Sequence, residues 1–183
     1  MMIDINELYI VNYRHPNTVP FKNICRLPKE EAFALAHKMA VGNLDTTAFG
    51  RFADFENHYP RRMKTDEYLY NRFVSVGGNP KEKHPLSFVL HGSDYLNNWF
   101  GNGVVSKIKL EYIPSEAVSF TMGDSGAVLK RADELTMYSK EMLANILKNY
   151  ESSINDFIAE ISKDYHYIEA QLWNDDYCVK AGE

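Results

Sequence analysis

Cysteine is scarce in this sequence. Cys25 and Cys178 are the only two, and they stand far apart with no Cys-x-x-Cys spacing. Neither a zinc ribbon nor a disulfide framework is indicated, and two reduced thiols are expected. The histidines are His15, His37, His58, His84, His91 and His166. They form no His-x-x-x-His pair and no His-Glu-x-x-His run, so no metal is expected. Walker and dinucleotide-fold glycine motifs are absent too. No apolar run approaches the roughly 20 residues of a membrane helix. The N-terminus, "MMIDINELYIVNYRHP", has two acids and no basic n-region, which is unlike a signal peptide. The formal net charge is -5, and no basic stripe is present to neutralise a phosphate backbone. A soluble, cytoplasmic protein without a membrane partner is the expectation. There is no internal repeat, low-complexity segment or linker, so residues 1–183 are read as a single globular domain.

Aromatic residues are plentiful, with 12 Tyr, 10 Phe and 2 Trp. Tyrosine joins an apolar ring to a polar tip, which suits half-exposed surface, a flat ligand or a partner. "ELYIVNYR" reads as a strand that stops at "HPN". "LPKEEAFALAHKMAVGN" reads as a helix begun by Pro28, with Glu30 and Glu31 in its first turn and Gly42-Asn43 at its end. "DTTAFGRFADFENHY" shows no clean period and reads as a long loop. A second helix is expected from Pro60 to about Ser75, with Met63, Leu69, Tyr70 and Phe73 on its apolar face.

"HPLSFVLHGS" alternates Leu86, Phe88 and Leu90 against Ser87, Val89 and His91, and Ser93 is placed to cap the short helix "DYLNNWF". A hairpin-like turn then leads into a strand with Ile108, Leu110 and Tyr112 inward. Val118, Phe120 and Met122 share one face of the next strand, which ends in a tight turn at Gly123–Gly126. Leu143, Ile146, Leu147, Tyr150, Ile154, Phe157, Ile158 and Ile161 carry the strongest helical period, as one long amphipathic helix or two joined near Ser152-Ser153. The last strand, Tyr167–Trp173, turns Ile168, Ala170 and Leu172 to a core, which predicts a central position. The order of elements implies an α+β fold with a mixed sheet and a long C-terminal amphipathic helix before the last strand.

The opposite face of that last strand carries Tyr167, Glu169, Gln171 and Trp173. A carboxylate framed by bulky aromatics loses hydration, which readies it for acid–base work; the same pattern also fits a half-solvated sheet face. Arg14 and His15 close the first strand, where an arginine suits a two-point grip on phosphate or carboxylate, and where Pro16 equally makes a surface turn. Arg51, Arg61 and Arg62 lie among Phe52, Phe55, His58 and Tyr59, a mixture that could hold phosphate on arginine and a base on a ring. The same arginines near Asp54 and Glu56 also read as a surface salt-bridge patch. "GDSG" offers backbone N–H groups for an anion nest but lacks the spacing of a nucleophile elbow.

With these residues in place, the order of segments resembles ADP-ribosyltransferase domains, above all the DarT-like group that modifies nucleic acid. "LYIVNYRH" is similar to the early strand that begins the NAD pocket of that family. "HPLSFVLHGSDYL" is similar to its mid-chain strand and short helix, and "SFTMGDSGA" to its later strand and turn. Glu169 in "YIEAQLW" occupies the place of the late catalytic glutamate. The resemblance implies NAD as substrate, ADP-ribose transfer to a nucleic-acid or protein acceptor, and Glu169 as the catalytic residue. It further implies Arg14 or Arg51 on the pyrophosphate and Tyr13, Tyr167 or Trp173 stacked on nicotinamide, with His15, His91 and Gln171 lining the same pocket. One departure stands out. Many members carry Gln/Glu-x-Glu with the catalytic residue last, whereas this chain has Glu169-x-Gln171, and Gln171 could not act as a carboxylate. The rival reading is a non-enzymatic intracellular protein-binding module of immunity or regulatory type, with exposed aromatics as its anchors.

Overall fold

The computed structural model describes residues 2–43 and 47–182. Six strands form one sheet: β1 (Tyr9–Arg14), β2 (Leu86–Leu90), β3 (Val104–Lys109), β4 (Val118–Met122), β5 (Met137–Ser139) and β6 (Ile168–Leu172), in the order β3-β1-β2-β6-β4-β5. The chain is α+β, as its pattern of elements implies. Every strand pair is antiparallel, so the sheet is not mixed. β6 lies inside the sheet between β2 and β4, and all five of its residues are buried.

The helices are α1 (Lys29–Gly42), α2 (Gly50–Ala53), α3 (Phe55–Ser75), α4 (Asp94–Trp99), α5 (Ser125–Arg131), α6 (Lys140–Lys148) and α7 (Ile154–Ile161). The strong C-terminal period is two helices rather than one long one. Ser153 caps α7 with a reciprocal capping box to Asp156, which ends any continuity with α6. Helix α3 starts at Phe55, before the expected start at Pro60. Phe55 is buried and packs on Phe33 and Phe52, so tertiary burial carries the helix through a proline that local propensity would place at its beginning. The segment expected as a loop is therefore helical from Thr47 onward, while Asp45 and Thr46 lie outside the described residues.

Two further expectations give way to local geometry. Leu110–Tyr112 forms a 3-10 turn that breaks the alternation of β3, and Tyr112 is left 49% exposed. β3 has no hairpin partner next to it in sequence; it pairs with β1 from Tyr9↔Lys109 to Arg14↔Val104. The Gly123–Gly126 turn is the start of α5. Gly123 takes φ +81, where a Cβ would meet Tyr165 at 2.8 Å, and Asp124 accepts a hydrogen bond from the Ala127 N–H at 2.6 Å.

The sheet separates two kinds of interior. On one face Ile10, Phe88, Leu90, Ile108, Phe120, Ile168, Ala170 and Leu172 pack on Leu143 and Leu147 of α6 and Phe157 of α7. On the other face the apolar packing is divided. Leu69 and Phe73 of α3 cover Met137 and Trp173 at one end, and Leu96 of α4 covers Val11, Val89 and Tyr167 at the other. Polar side chains occupy the interval between them.

Part of that interval is closed by a one-way relay. Trp173 Nε1 donates to Ser119 Oγ at 2.8 Å, and Ser119 Oγ donates to Gln171 Oε1 at 2.8 Å. Gln171 Nε2 donates to Thr121 Oγ1 at 3.0 Å, and Thr121 Oγ1 donates to the Gly123 carbonyl at 3.2 Å. Each of these four side chains thus has a partner within the relay, as a low-dielectric interior requires. Ser119→Ala leaves the Trp173 N–H and the Gln171 carbonyl unpaired. We expect a loss of about 2–4 kcal/mol, read as roughly 5–15 °C in Tm. A change within about 0.5 kcal/mol in a urea melt would mean that the relay is not structural.

Candidate functional site

The helical layer has an opening, marked by a single residue. Ser87 is exposed although it sits on an interior strand, between buried Leu86 and Phe88. The cause is a split in the sheet. β1 and β2 pair only at Ile10↔Leu90 and Val11↔Val89, whereas β1 continues along β3 to Arg14 and β2 along β6 to Leu86. Side chains take over at Ser87 of β2 and at the two residues that precede the strand, His84 and Pro85. Asn12 Nδ2 donates to the Ser87 carbonyl at 3.0 Å, Asn23 Nδ2 to Pro85 O at 2.8 Å, and Arg26 Nε to His84 O at 2.8 Å.

Glu169 borders this opening. It is 4% exposed. Its Oε1 accepts from Ser87 Oγ at 3.2 Å and its Oε2 from the Ser125 N–H at 2.7 Å. The backbone of "GDSG" thus offers its N–H to an anion as expected, and that anion is the protein's own carboxylate. Burial pushes the Glu169 pKa above the usual carboxylate range, Asp124 pushes it further, and Arg62 with the Ser125 hydrogen bond opposes them. Ser125 Oγ is fully buried and has no hydrogen-bond partner among the described residues.

Arg62 of α3 reaches over the opening. Its Nη2 donates to Ser87 Oγ at 3.3 Å, and its Nε lies 2.8 Å from Asp66 Oδ1, an i,i+4 ion pair whose N–H is not aligned for a hydrogen bond. Asp66 is fully buried and meets His84 Nδ1 at 2.8 Å through its other oxygen. Burial alone would lower the Arg62 pKa, but Asp66 and Glu169 raise it. Arg51 has no carboxylate within 4.0 Å among the described residues. Its guanidinium lies 4.7 Å from the Phe52 ring centroid and 5.9 Å from that of Trp99. Burial, then Arg62, lower its pKa to about 10. Tyr167 donates from its hydroxyl to Asp124 Oδ2 at 3.1 Å, and burial raises its pKa far above the ordinary phenol value.

The residues singled out from sequence divide into groups. Glu169 and Arg51 belong to this polar centre. Tyr13 packs with Trp99 and Phe100 at its margin, and its hydroxyl accepts from the Ser93 N–H at 2.8 Å. Arg14 donates from Nη1 to Thr18 O at 3.0 Å, and its buried Nε has no partner among the described residues. His15 sets its ring edge on Phe49 at 5.0 Å, and Phe49 packs on Phe52 beneath Arg51. His91 is exposed at φ +61, and its N–H donates to Tyr9 O. Gln171 and Trp173 are fully buried, with their polar atoms engaged in the relay.

Sequence reading missed Ser87, Asp66 and His84, and it singled out Asp124 and Ser125 for their backbone but not for their side chains. The Arg62-x-x-x-Asp66 spacing was a visible signal for the ion pair. Nothing local marks Ser87, because its exposure depends on where two distant strands part.

Two shallow depressions flank the start of α3, one lined by Asp54, Asn57, Pro60, Arg61 and Lys64, the other by Phe33, His37 and Phe52–Asn57; neither includes Ser87 or Glu169. Among the described residues no group of three or more His, Cys, Asp and Glu side chains could hold a metal ion, and no helix is long and apolar enough to cross a membrane. Comparison with protein-family models, curated proteins and solved structures returned no match.

His58 reports on the charge of this centre. Burial first, then Arg51, Arg62 and Arg61, hold its pKa down to about 4. The folded protein therefore binds fewer protons than the unfolded chain between about pH 4 and pH 6.5. The stability linked to His58 is complete above pH 6.5 and is lost as pH falls through about 4. After allowance for solvent screening, wild type should lose about 1–2 kcal/mol more than His58→Gln between pH 7 and pH 4. Equal acid losses in urea melts of the two proteins would refute this assignment.

Proposed function

We propose that this chain is an NAD-consuming transferase of the ADP-ribosyltransferase type, with Glu169 as its catalytic carboxylate and the split between β1 and β2 as the mouth of its substrate site. The observation that carries the reading is the exposure of Ser87 on an interior strand, in hydrogen-bond contact with both Glu169 and Arg62. The resemblance of "LYIVNYRH" and "YIEAQLW" to the strands of that family supports the choice of NAD, and Arg51, with no carboxylate within 4.0 Å among the described residues, suits its pyrophosphate. The fit is with substrate held from the α2 and α3 side. Glu169 is too buried to meet a dinucleotide until α2 and the start of α3 move outward.

In this reading the bond between the ribose C1′ and the nicotinamide nitrogen breaks, and nicotinamide leaves with the electron pair. The lone pair of a nucleic-acid or protein acceptor forms the new bond at C1′, and the acceptor's proton passes to solvent. Glu169, held by Ser87 and the Ser125 N–H, supplies fixed negative charge opposite the cation that develops on the ribose. Arg51 and Arg62 hold the diphosphate.

A second reading, a protein-binding module without catalysis, draws support from a separate observation. Tyr95 and His166 are exposed and stacked at 4.3 Å, and Tyr165 beside them is exposed as well. The two readings part on one variant. Glu169→Gln keeps an oxygen for the Ser125 N–H and should remain folded. NAD turnover should fall by about 100-fold or more, while NAD should raise the Tm of both proteins in step with its concentration. Unchanged turnover in the variant removes Glu169 from catalysis. Absence of both turnover and thermal shift at millimolar NAD in wild type overturns the transferase reading in favour of the module.

A further inference from the structure

We propose that α1, α2 and the first turn of α3 form a lid that swings as one unit away from Ser125 and Glu169, on stems fastened to His84 and with Arg51 on Trp99 as its latch. This goes beyond the transferase reading, because it holds whatever the substrate is.

The helical layer over the sheet is not one body. Ala32 and Ala36 of α1, Phe52 of α2, Phe55 of α3 and the intervening Phe49 make an apolar cluster of their own. Among the described residues no strand contributes to this cluster, whereas each of the other three includes strand residues. α1 and α2 pack chiefly on each other and on α3. The unit therefore carries its own core and can move without breaking it, the condition for hinged motion.

Both stems of the unit end on one residue. On the way in, Arg26 Nε donates to the His84 carbonyl at 2.8 Å. On the way out, Asp66 of α3 meets His84 Nδ1 at 2.8 Å. Between Asp66 and the lid stands Pro60, which has no N–H for the Glu56 carbonyl and so removes one bond from the helix ladder. Tyr59 and Phe55, before Pro60, pack within the lid, while Leu69 and Phe73, after it, pack against the sheet. The proline thus marks the point where α3 passes from one body to the other, and prolines are where helices bend. Arg62 lies beyond the hinge and stays with Ser87.

Little holds the lid down. Arg51 lies between the Phe52 ring of the lid, at 4.7 Å, and the Trp99 ring of α4, at 5.9 Å. His15 sets its ring edge on Phe49, and Asn17 Nδ2 donates to Asn43 Oδ1 at 2.8 Å. Among the described residues no ion pair joins residues 27–59 to the rest of the chain. Beneath the lid, Ser125 is fully buried and its N–H holds Glu169. Arg51 and His58 of the lid stand in the field of Asp124, the residue before Ser125. Lifting the lid uncovers Ser125 and Glu169 and leaves the sheet and its cores intact.

The test is thiol labelling of Ser125→Cys, a nearly isosteric change, with a methanethiosulfonate reagent. Peptide mapping follows each thiol separately, and half-buried Cys178 serves as the reference. We expect the new thiol to react much faster than global unfolding, timed in urea, allows. Arg51→Met, which keeps the stem and removes the cation, should speed this labelling about threefold. Pro60→Ala, which returns the missing helix bond, should slow it. If Ser125→Cys does not fold, Glu169→Cys places the reporter at the neighbouring position. Labelling no faster than global unfolding, or labelling indifferent to either Arg51→Met or Pro60→Ala, overturns the inference. The expected labelling without any NAD turnover supports the lid and overturns only the transferase reading.

Discussion

The polar centre depends on how β2 satisfies its backbone where β1 leaves it. A strand inside a sheet normally gives its carbonyls to a neighbouring backbone, and an open edge would be a site of aggregation. Here Asn12, Asn23 and Arg26 donate to the carbonyls of Ser87, Pro85 and His84 instead. Because side chains do the work of a strand, β1 can diverge and the sheet can open without unpaired carbonyls at these three positions. The opening then exposes Ser87, and through Ser87 it gives Glu169 and Arg62 a common hydrogen-bonding partner at the surface.

Charge in the interval between two apolar clusters is expensive to hold. A buried ion pair offsets its own desolvation only when its remaining hydrogen-bonding capacity is used, and replacement by apolar side chains is often neutral or stabilising. Asp66 has the charge of Arg62 at 2.8 Å and His84 on its other oxygen, although its Oδ1 receives no aligned hydrogen bond. Glu169 receives a hydrogen bond on each oxygen, both from neutral donors, and has a raised pKa and no ion pair among the described residues. Arg51 lies over the rings of Phe52 and Trp99 and meets no carboxylate among the described residues. A structural network would close these valences, as the Trp173–Ser119–Gln171–Thr121 relay does a few ångströms along the same strands. That contrast between a closed relay and an open centre on one sheet face is the main physical reason to regard the centre as a site.

How much of this was legible depended on the range of the interaction that decides it. Alternation in "YIEAQLW" was enough to make β6 central, because Ile168, Ala170 and Leu172 have only one way to be buried. Ser93 and its short helix were equally local. Pro60 misled, because the pull of Phe55 toward Phe33 and Phe52 is tertiary and outweighs a start signal. In the site, Glu169 and Arg51 were found by residue chemistry. Ser87 was not, because β1 and β2 part through side chains that stand as far from it in sequence as Asn12 and Asn23. Trp173 was read as a stacking platform. Its ring does stack, on Phe73 at 5.3 Å, inside the core.

The two polar residues of β6 show how neighbours divide the roles of like side chains. Glu169 and Gln171 share a face and differ by one carboxylate oxygen. Gln171 turns toward β4, where Ser119 and Thr121 use both ends of its amide. A carboxylate there would meet Thr121 with an acceptor in place of a donor, and the Thr121 hydroxyl already gives its proton to Gly123 O. Glu169 turns toward β2 and the start of α5, where both partners donate. Each position therefore selects its own side chain by the direction of its hydrogen bonds. On this argument the order Glu-x-Gln is imposed by the serines and threonine of β2 and β4, and position 169 is the one of the two where a carboxylate meets the opening.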